Sequence, residues 1–496
     1  MRLPKSYYNN LSLAGTILAG ISLLLILFSV VLTFAFDAGS SYLGLFSYIL
    51  LPGIMLLGLL LIPIGMLVTI RRAKKQNTPM PGKWLVIDFN DPRYRNAASV
   101  FIIGTVVLIL LSAVGSYEAY HYTESVEFCG TVCHKVMKPE HVTYLNSSHA
   151  RVSCVECHVG QGANWYVKSK LSGLYQVYAV LANNYPRPIP TPITSLRPAK
   201  ETCEECHWPQ KFYTSRLRFE KHYLSDSANT EWDIHLRMKT NSTHGASNLM
   251  EGIHWHINPN IKIEYIASDA QRENIPWVRM INVAQGDTTL YEDSWMPLEP
   301  EEITAATPRV MDCMDCHNRP SHNYRLPSEF IDYAITSGAI PNIPEVKQLA
   351  MEVLKDPYPT TDTALMVIKN TFAEFYSDQY PTVPSSLVDR AISGVITGFE
   401  NNIFPEMGAS WDVYPDHIGH VEFNGCFRCH NDTHESSSGM KITKDCNACH
   451  TILMQGTPDY SQSAPLHEGL DFQHPVDIEE AWKESLCTDC HRYLYL

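Results

Sequence analysis

Fourteen cysteines fall into seven close pairs, and the second member of every pair is followed at once by histidine. The pairs are Cys129/Cys133 before His134, Cys154/Cys157 before His158, Cys203/Cys206 before His207, and Cys313/Cys316 before His317. They continue with Cys426/Cys429 before His430, Cys446/Cys449 before His450, and Cys487/Cys490 before His491. Six read C-x-x-C-H, and the first, CGTVCH, carries one extra residue. Two thiols on one helical turn each add to a vinyl group of a haem, while the next imidazole reaches under the ring to the iron. Zinc uses such pairs in twos and needs no histidine after every second cysteine. A disulfide framework leaves the same histidines unexplained. The pattern predicts seven covalently bound haem c groups, with these seven histidines as proximal iron ligands. Porphyrins then fill much of the core, so short helices and loops are expected around each motif.

Three long apolar stretches precede the first motif, over Leu11 to Phe36, Leu43 to Ile70 and Ala98 to Tyr117. Each reaches the roughly 20 residues that a helix needs to cross a bilayer. Pro52, Gly53, Pro63 and Gly65 would interrupt a soluble helix but are tolerated in a membrane one. Arg2 and Lys5 precede the first stretch with no small-residue cleavage motif near its end, which predicts an uncleaved anchor. Between the second and third stretches lie Arg71, Arg72, Lys74, Lys75, Lys83, Arg93 and Arg95 against Asp88 and Asp91. The positive-inside rule makes this loop cytoplasmic, so the amino terminus is inside and everything after Tyr117 is outside. That is the side on which bacteria and archaea attach haem, so an inner-membrane protein with a periplasmic haem domain is expected.

Residues 1–98 hold nine Lys/Arg and three Asp/Glu, a formal +6; removing this from the whole-chain −14 leaves −20 beyond the anchor. So acidic a domain suits ordinary solubility, or it steers basic soluble redox partners; no nucleic-acid partner is expected. The motifs cluster three, one and three, which suggests a membrane anchor over 1–117, a haem domain over 118–210 and an insertion over 211–310. A fourth-haem and helical segment over 311–425 and a three-haem module over 426–496 complete the division. IKIEYIAS and PWVRMINVA read as short strands in the insertion, while EVKQLAMEVLK and TALMVIKNTFAEFY carry apolar residues at helical spacing. The expected fold is mainly α, with three membrane helices and a haem domain of low regular structure containing a small β-rich insertion. The helical stretch is expected to pack against the haem core.

Fourteen of the 21 histidines lie outside the motifs. Six-coordinate electron-transfer haems need a second ligand, usually His or Met. His149, His322 and His474 stand out through their position near motifs. His222, His254, His256, His417 and His420 lie among aromatic residues that suggest partial burial, and His149, His322, His420 and His474 are the first choices as second ligands. His434, among serines, reads as solvent-exposed.

The stretch from about 100 to 210 resembles the NapC/NirT/NrfH family of membrane-anchored quinol dehydrogenases. There a span is followed by C-x-x-C-H-x-M, an S-x-H segment, a second C-x-x-C-H, and a helix with a lysine and an acidic residue beside the first haem. This chain has CGTVCHKVM with Met137, Ser148 and His149, Cys154 to His158, and KSKLSGLYQVY. The resemblance implies menaquinol as substrate, Met137 as a ligand of the first haem, and Lys170 in the quinol site. Gln176 stands where the family has Asp or Glu, so Glu140, His141 or water is left to take a quinol proton. On their own, Lys170 also reads as a cation reaching lipid phosphates and Met137 as packing. The layout of three spans and seven motifs also resembles inner-membrane cytochromes of bacteria that respire on external acceptors. The implied activity is quinol:cytochrome c oxidoreduction, with electrons passed to periplasmic c-type cytochromes. A haem-based nitrite or hydroxylamine reductase and a non-catalytic membrane docking subunit are the alternatives.

Overall fold

The apolar stretches and the motif-bearing remainder fold as two units, Met1–His134 and Lys135–Leu496, in a computed structural model. The structure describes residues 5–36, 50–76, 89–132, 134–160, 163–191, 197–208, 212, 215–241 and 252–492. Arg2, Asp37, Lys83, Asp88, Cys133, His244 and residues 43–49 of the second predicted span lie outside this range.

In the first unit the Leu/Ile-rich runs form α1 (Asn10–Phe36), α2 (Leu51–Lys75) and α3 (Pro92–Glu124). Each contains a segment long and apolar enough to span a bilayer. Small residues let α1 and α2 approach closely. A Cβ on Gly15 would sit 2.6 Å from the Gly58 carbonyl oxygen, and one on Gly58 2.7 Å from the Ala19 nitrogen. Ser12 Oγ donates across the same seam to the Ile62 carbonyl at 2.9 Å. This is how membrane helices associate when lipid removes any hydrophobic drive. Leu24, Ile103 and Leu111 remain exposed, as lipid-facing side chains must.

The second unit begins with α4 (His134–Leu145) and α5 (Ala163–Leu181) and then turns to strands. One antiparallel sheet runs β1 (Ser215–Tyr223), β2 (Glu231–Lys239), β8 (His450–Gly456), β9 (Ser461–Ser463). The other runs β6 (Arg309–Val310), β3 (Ile261–Ile266), β4 (Trp277–Asn282), β5 (Asp287–Asp293), β7 (His434–Ser436). The two strands expected from sequence are β3 and β4. The pairing of β2 with β8 and of β5 with β7 ties the insertion to the stretch holding the last three motifs.

The helical stretch forms α6 (Pro327–Thr336), α7 (Val346–Lys355), α8 (Thr361–Gln379) and α9 (Ser385–Asn402). These helices bury Ile331, Val346, Ile368, Phe372, Val395 and Phe399 against one another, joined by Tyr223 from β1. The segment thus builds a core of its own. The reason is that all four helices carry an apolar stripe, so they satisfy each other.

Candidate haem-ligand pairs

Each described motif sits on a short turn: Cys154–His158 and Cys487–His491 are α-helical, and Cys203–Glu205, Cys313–Asp315, Gly425–Arg428 and Cys446–Ala448 are 3-10. The amide of the histidine closes the turn onto the carbonyl of the first cysteine, at 2.8 Å for His207, 2.8 Å for His317 and 3.0 Å for His430. Aspartates cap several turns; Asp312 accepts from the Met314 amide and Asp445 from the Asn447 amide. Local geometry therefore places two thiols and an imidazole on one side of each turn.

Cys157, Cys206, Cys446 and Cys490 are exposed, whereas the other described motif cysteines are partly buried. A thioether is a covalent bond, so Cys206 and Cys490 can hold a haem without being buried by protein.

Six motif histidines face a second histidine from elsewhere in the chain. Ring centroids are 6.2 Å apart for His158 and His322, 6.1 Å for His207 and His149, and 6.3 Å for His317 and His254. They are 5.9 Å apart for His430 and His256, 6.1 Å for His450 and His420, and 6.0 Å for His491 and His474. No hydrogen bond spans such a gap. Two imidazoles on opposite sides of one metal, each with a bond of about 2 Å and its ring centre roughly 1 Å further, sit roughly 6 Å apart. The described residues contain no group of three or more metal-ligating side chains. A metal held between two histidines then takes its remaining ligands from a macrocycle, and the residues fit haem.

The outward nitrogens are engaged in the way that fixes a ligand tautomer. Nδ1 meets a backbone carbonyl oxygen in His149 (Pro320, 3.0 Å), His254 (Thr240, 2.8 Å), His256 (Ile253, 3.0 Å), His322 (Glu140, 2.9 Å) and His474 (Val476, 2.7 Å). Donation from Nδ1 leaves Nε2 as the lone-pair nitrogen. Burial lowers the pKa of His158, His254, His256, His317, His420, His430 and His491, and pushes His450 down to about 4. The neutral imidazole this favours is the metal-binding form. Arg197 Nε and Nη1, Arg319 Nε and Trp255 Nε1 are buried donors with no protein acceptor, the kind of group that a haem propionate satisfies.

Three further histidines, His222, His417 and His434, have other partners. His222 Nδ1 lies 3.4 Å from Asp332. His417 is buried with Nδ1 3.1 Å from the Arg428 guanidinium and 3.2 Å from the Asp315 carbonyl oxygen; burial first, then Arg428, push its pKa down to about 4. His434, read from sequence as exposed, is fully buried and bonded to the Ile275 carbonyl at 2.7 Å and to Asn431 at 2.8 Å. Its serine-rich neighbourhood is strand β7, which pairs into a sheet, and that long-range pairing is invisible locally.

Of the residues suggested for a quinol site, Met137, Glu140 and His141 lie on α4, and Lys170 and Gln176 lie on α5. Glu140 is engaged: Oε1 accepts from the Tyr324 hydroxyl at 3.0 Å, and Oε2 lies 3.2 Å from His322 Nδ1. Nothing in the sequence marks this carboxylate as a partner of a histidine so far along the chain. On α5, Leu171, Leu174, Tyr175, Tyr178 and Leu181 form an exposed apolar stripe, and Gln176 is exposed beside it.

Residues 92–188 match the model of the NapC/NirT cytochrome c family, N-terminal region. The chain is 41% identical over 491 residues to the cytochrome c-type protein ImcH of Geobacter sulfurreducens, covering 98% of this chain and 95% of that protein. It is 27% identical over 121 residues to the cytochrome c-type protein NrfH of Wolinella succinogenes, covering 24% of this chain and 68% of that one. No solved structure matches it. With its three candidate spans, its C-x-x-C-H motifs and this near full-length similarity, the chain belongs to the membrane-bound multihaem c-type cytochromes of the NapC/NirT and ImcH kind, electron-transfer proteins with covalently bound haem c.

Proposed function

We propose that the protein is a menaquinol dehydrogenase of the inner membrane, which passes electrons through seven c-type haems to periplasmic cytochromes in anaerobic or extracellular respiration. The observation that carries this reading is the set of six histidine pairs at 5.9 to 6.3 Å. A catalytic haem keeps one axial position open for its substrate, whereas a bis-histidine haem is closed and exchanges electrons only. The pairs therefore favour a conduit over the nitrite or hydroxylamine reductase alternative.

Bound haem supplies one-electron redox chemistry. The chain's own residues do the rest: His149, His254, His256, His322, His420 and His474 are the second ligands of six haems, and carbonyl contacts hold most of them in register. Glu140 orients His322 rather than serving as a free base. Menaquinol gives up two electrons and two protons in becoming menaquinone, and the protons leave on the periplasmic side. Lys170 and Gln176 orient the quinol headgroup by hydrogen bonding, Met137 lies close to the first haem, and His141 or water takes the proton. The apolar stripe of α5 suits the lipid surface from which a quinol arrives. Net negative charge beyond the anchor favours basic acceptor cytochromes.

The purified full-length protein, given a menaquinol analogue in detergent, is expected to reduce all of its haems, with Lys170→Ala slowing the reaction while haem content stays constant. Absence of reduction with every haem present would leave the docking-subunit reading; rapid turnover of nitrite or hydroxylamine would replace the conduit reading.

A further inference from the structure

Resting on the haem assignment above, the geometry points to an electron wire in which the haems of motifs two, three and four form one linked group and those of motifs four to seven follow one another in sequence order, with the C-terminal haem as the exit to a basic soluble electron carrier.

Successive motifs meet at each step. Between the second and third, Cys157 and Cys203 lie within electrostatic reach, and His149, just ahead of the second motif, faces His207 of the third. Between the third and fourth, the turn Ala199–Glu201 just ahead of Cys203 packs against Cys313–Asp315, and Cys203 and Cys313 lie within electrostatic reach. Between the fourth and fifth, one five-residue turn, Ile253–Ile257, presents His254 to His317 and His256 to His430. Between the fifth and sixth, His420, six residues before Cys426, faces His450 of the sixth motif at 6.1 Å. Between the sixth and seventh, Cys487 Sγ lies 3.7 Å from Nδ1 of His420, whose ring faces His450. A thioether carbon is part of the haem edge, so meeting attachment points bring porphyrin edges together.

The end of this wire has its own chemistry. Residues 466–492 hold seven Asp/Glu against Lys483 and Arg492. All seven carboxylates, including Asp477, Glu479, Glu480, Glu484 and Asp489, are exposed. Both cations are engaged, Lys483 with Glu480 at 2.5 Å and Arg492 with Glu273 at 3.1 Å. The terminal haem is thus surrounded by a net negative surface that attracts a positively charged partner. Each transfer moves one electron from a reduced haem iron to the oxidised haem iron of the carrier, and no other reactant is needed.

The order is tested by deleting single haems and using a menaquinol analogue as the reductant, with the reduced α-band as readout and dithionite giving the total. Cys313→Ala/Cys316→Ala should leave three of six haems oxidised by quinol on the timescale on which the unaltered protein reduces fully. Cys487→Ala/Cys490→Ala should leave none. Full reduction in the first variant would overturn the wire. Should a deletion variant fail to mature, iron positions in the intact holoprotein decide instead: each iron of motifs four to seven must have its sequence neighbours nearest, and any shortcut among them overturns the order. For the exit, Glu479→Gln/Glu480→Gln/Glu484→Gln should slow electron transfer to a basic monohaem cytochrome by about tenfold or more at low salt, without slowing reduction by quinol. An unchanged rate would move the exit elsewhere. Failure of the unaltered protein to accept electrons from quinol would count against the quinol reading and leave the haem order to be judged from iron positions.

Discussion

His254 and His317 lie nearly parallel, with ring planes 12° apart and centroids 6.3 Å apart. One residue beyond Trp255, His256 faces His430 at 5.9 Å, with the two ring planes 82° apart. If each closes one haem, His254→Ala and His256→Ala should each convert a single haem from low to high spin and make it bind carbon monoxide. His222→Ala should convert none. Spin-state spectroscopy and carbon monoxide difference spectra of the three variants check this, and an unchanged His254→Ala spectrum would refute the assignment.

Glu140 lies 3.2 Å from His322 Nδ1, across from the ring of His158. A carboxylate behind a ligating imidazole makes it more electron-donating and favours the oxidised metal. Glu140→Gln should therefore raise the reduction potential of one haem and leave the number of low-spin haems unchanged. Spectroelectrochemical titration reads this, and a lowered potential would contradict the proposed role.

Leu174 and Tyr178 lie on the exposed apolar stripe of α5, the helix that carries Lys170. Replacing both by serine should raise KM for a menaquinol analogue several-fold while dithionite still reduces every haem. Steady-state kinetics in detergent and in liposomes decide it; an unaltered KM would detach the stripe from quinol binding.

Lys347 and Asp332 form a buried ion pair in the helical core, 3% and 5% exposed, with Lys347 Nζ also donating to the Ser328 carbonyl at 3.0 Å. Lys347→Met leaves the buried Asp332 carboxylate with His222, 3.4 Å away, as its remaining cationic neighbour, at a cost of up to about 3 to 5 kcal/mol. Lys347→Met/Asp332→Asn should recover part of this loss. Thermal unfolding of the three proteins measures the difference, and equal destabilisation of single and double variants would speak against an uncompensated charge.

Glu264 on β3 pairs with Lys262 at 2.7 Å and accepts from Arg279 Nε at 2.7 Å. The Lys262 hydrogen bond, helped by Arg279 against the opposing effect of burial, holds its carboxyl below the usual range. A folded pKa below the unfolded value of about 4.3 adds stability above that pH and loses it as pH falls through the folded pKa. Unfolding curves should therefore steepen in acid for the unaltered protein and flatten for Glu264→Gln. Parallel acid profiles would dismiss the contribution.

The C-x-x-C-H turns were legible in the sequence because a thiol pair and its histidine lie on one turn, where spacing alone sets geometry. The membrane helices were legible for the same reason, since a bilayer demands an unbroken apolar run. His149, His322, His420 and His474 were singled out, but no spacing tells which motif each one meets. Spacing is equally silent on which thiols protein covers: Cys206 and Cys490 are exposed while Cys203 and Cys487, on the same turns, are partly buried. Nor does composition show that the serine-flanked His434 is buried, because that depends on β7 joining β5. The sequence by itself determined how many haem-attachment motifs the protein carries and which part of it enters the membrane, both local properties of the chain. Only the tertiary structure decided which histidines face each other and in what order the motifs meet, because those contacts join segments far apart in sequence through sheet pairing and packing.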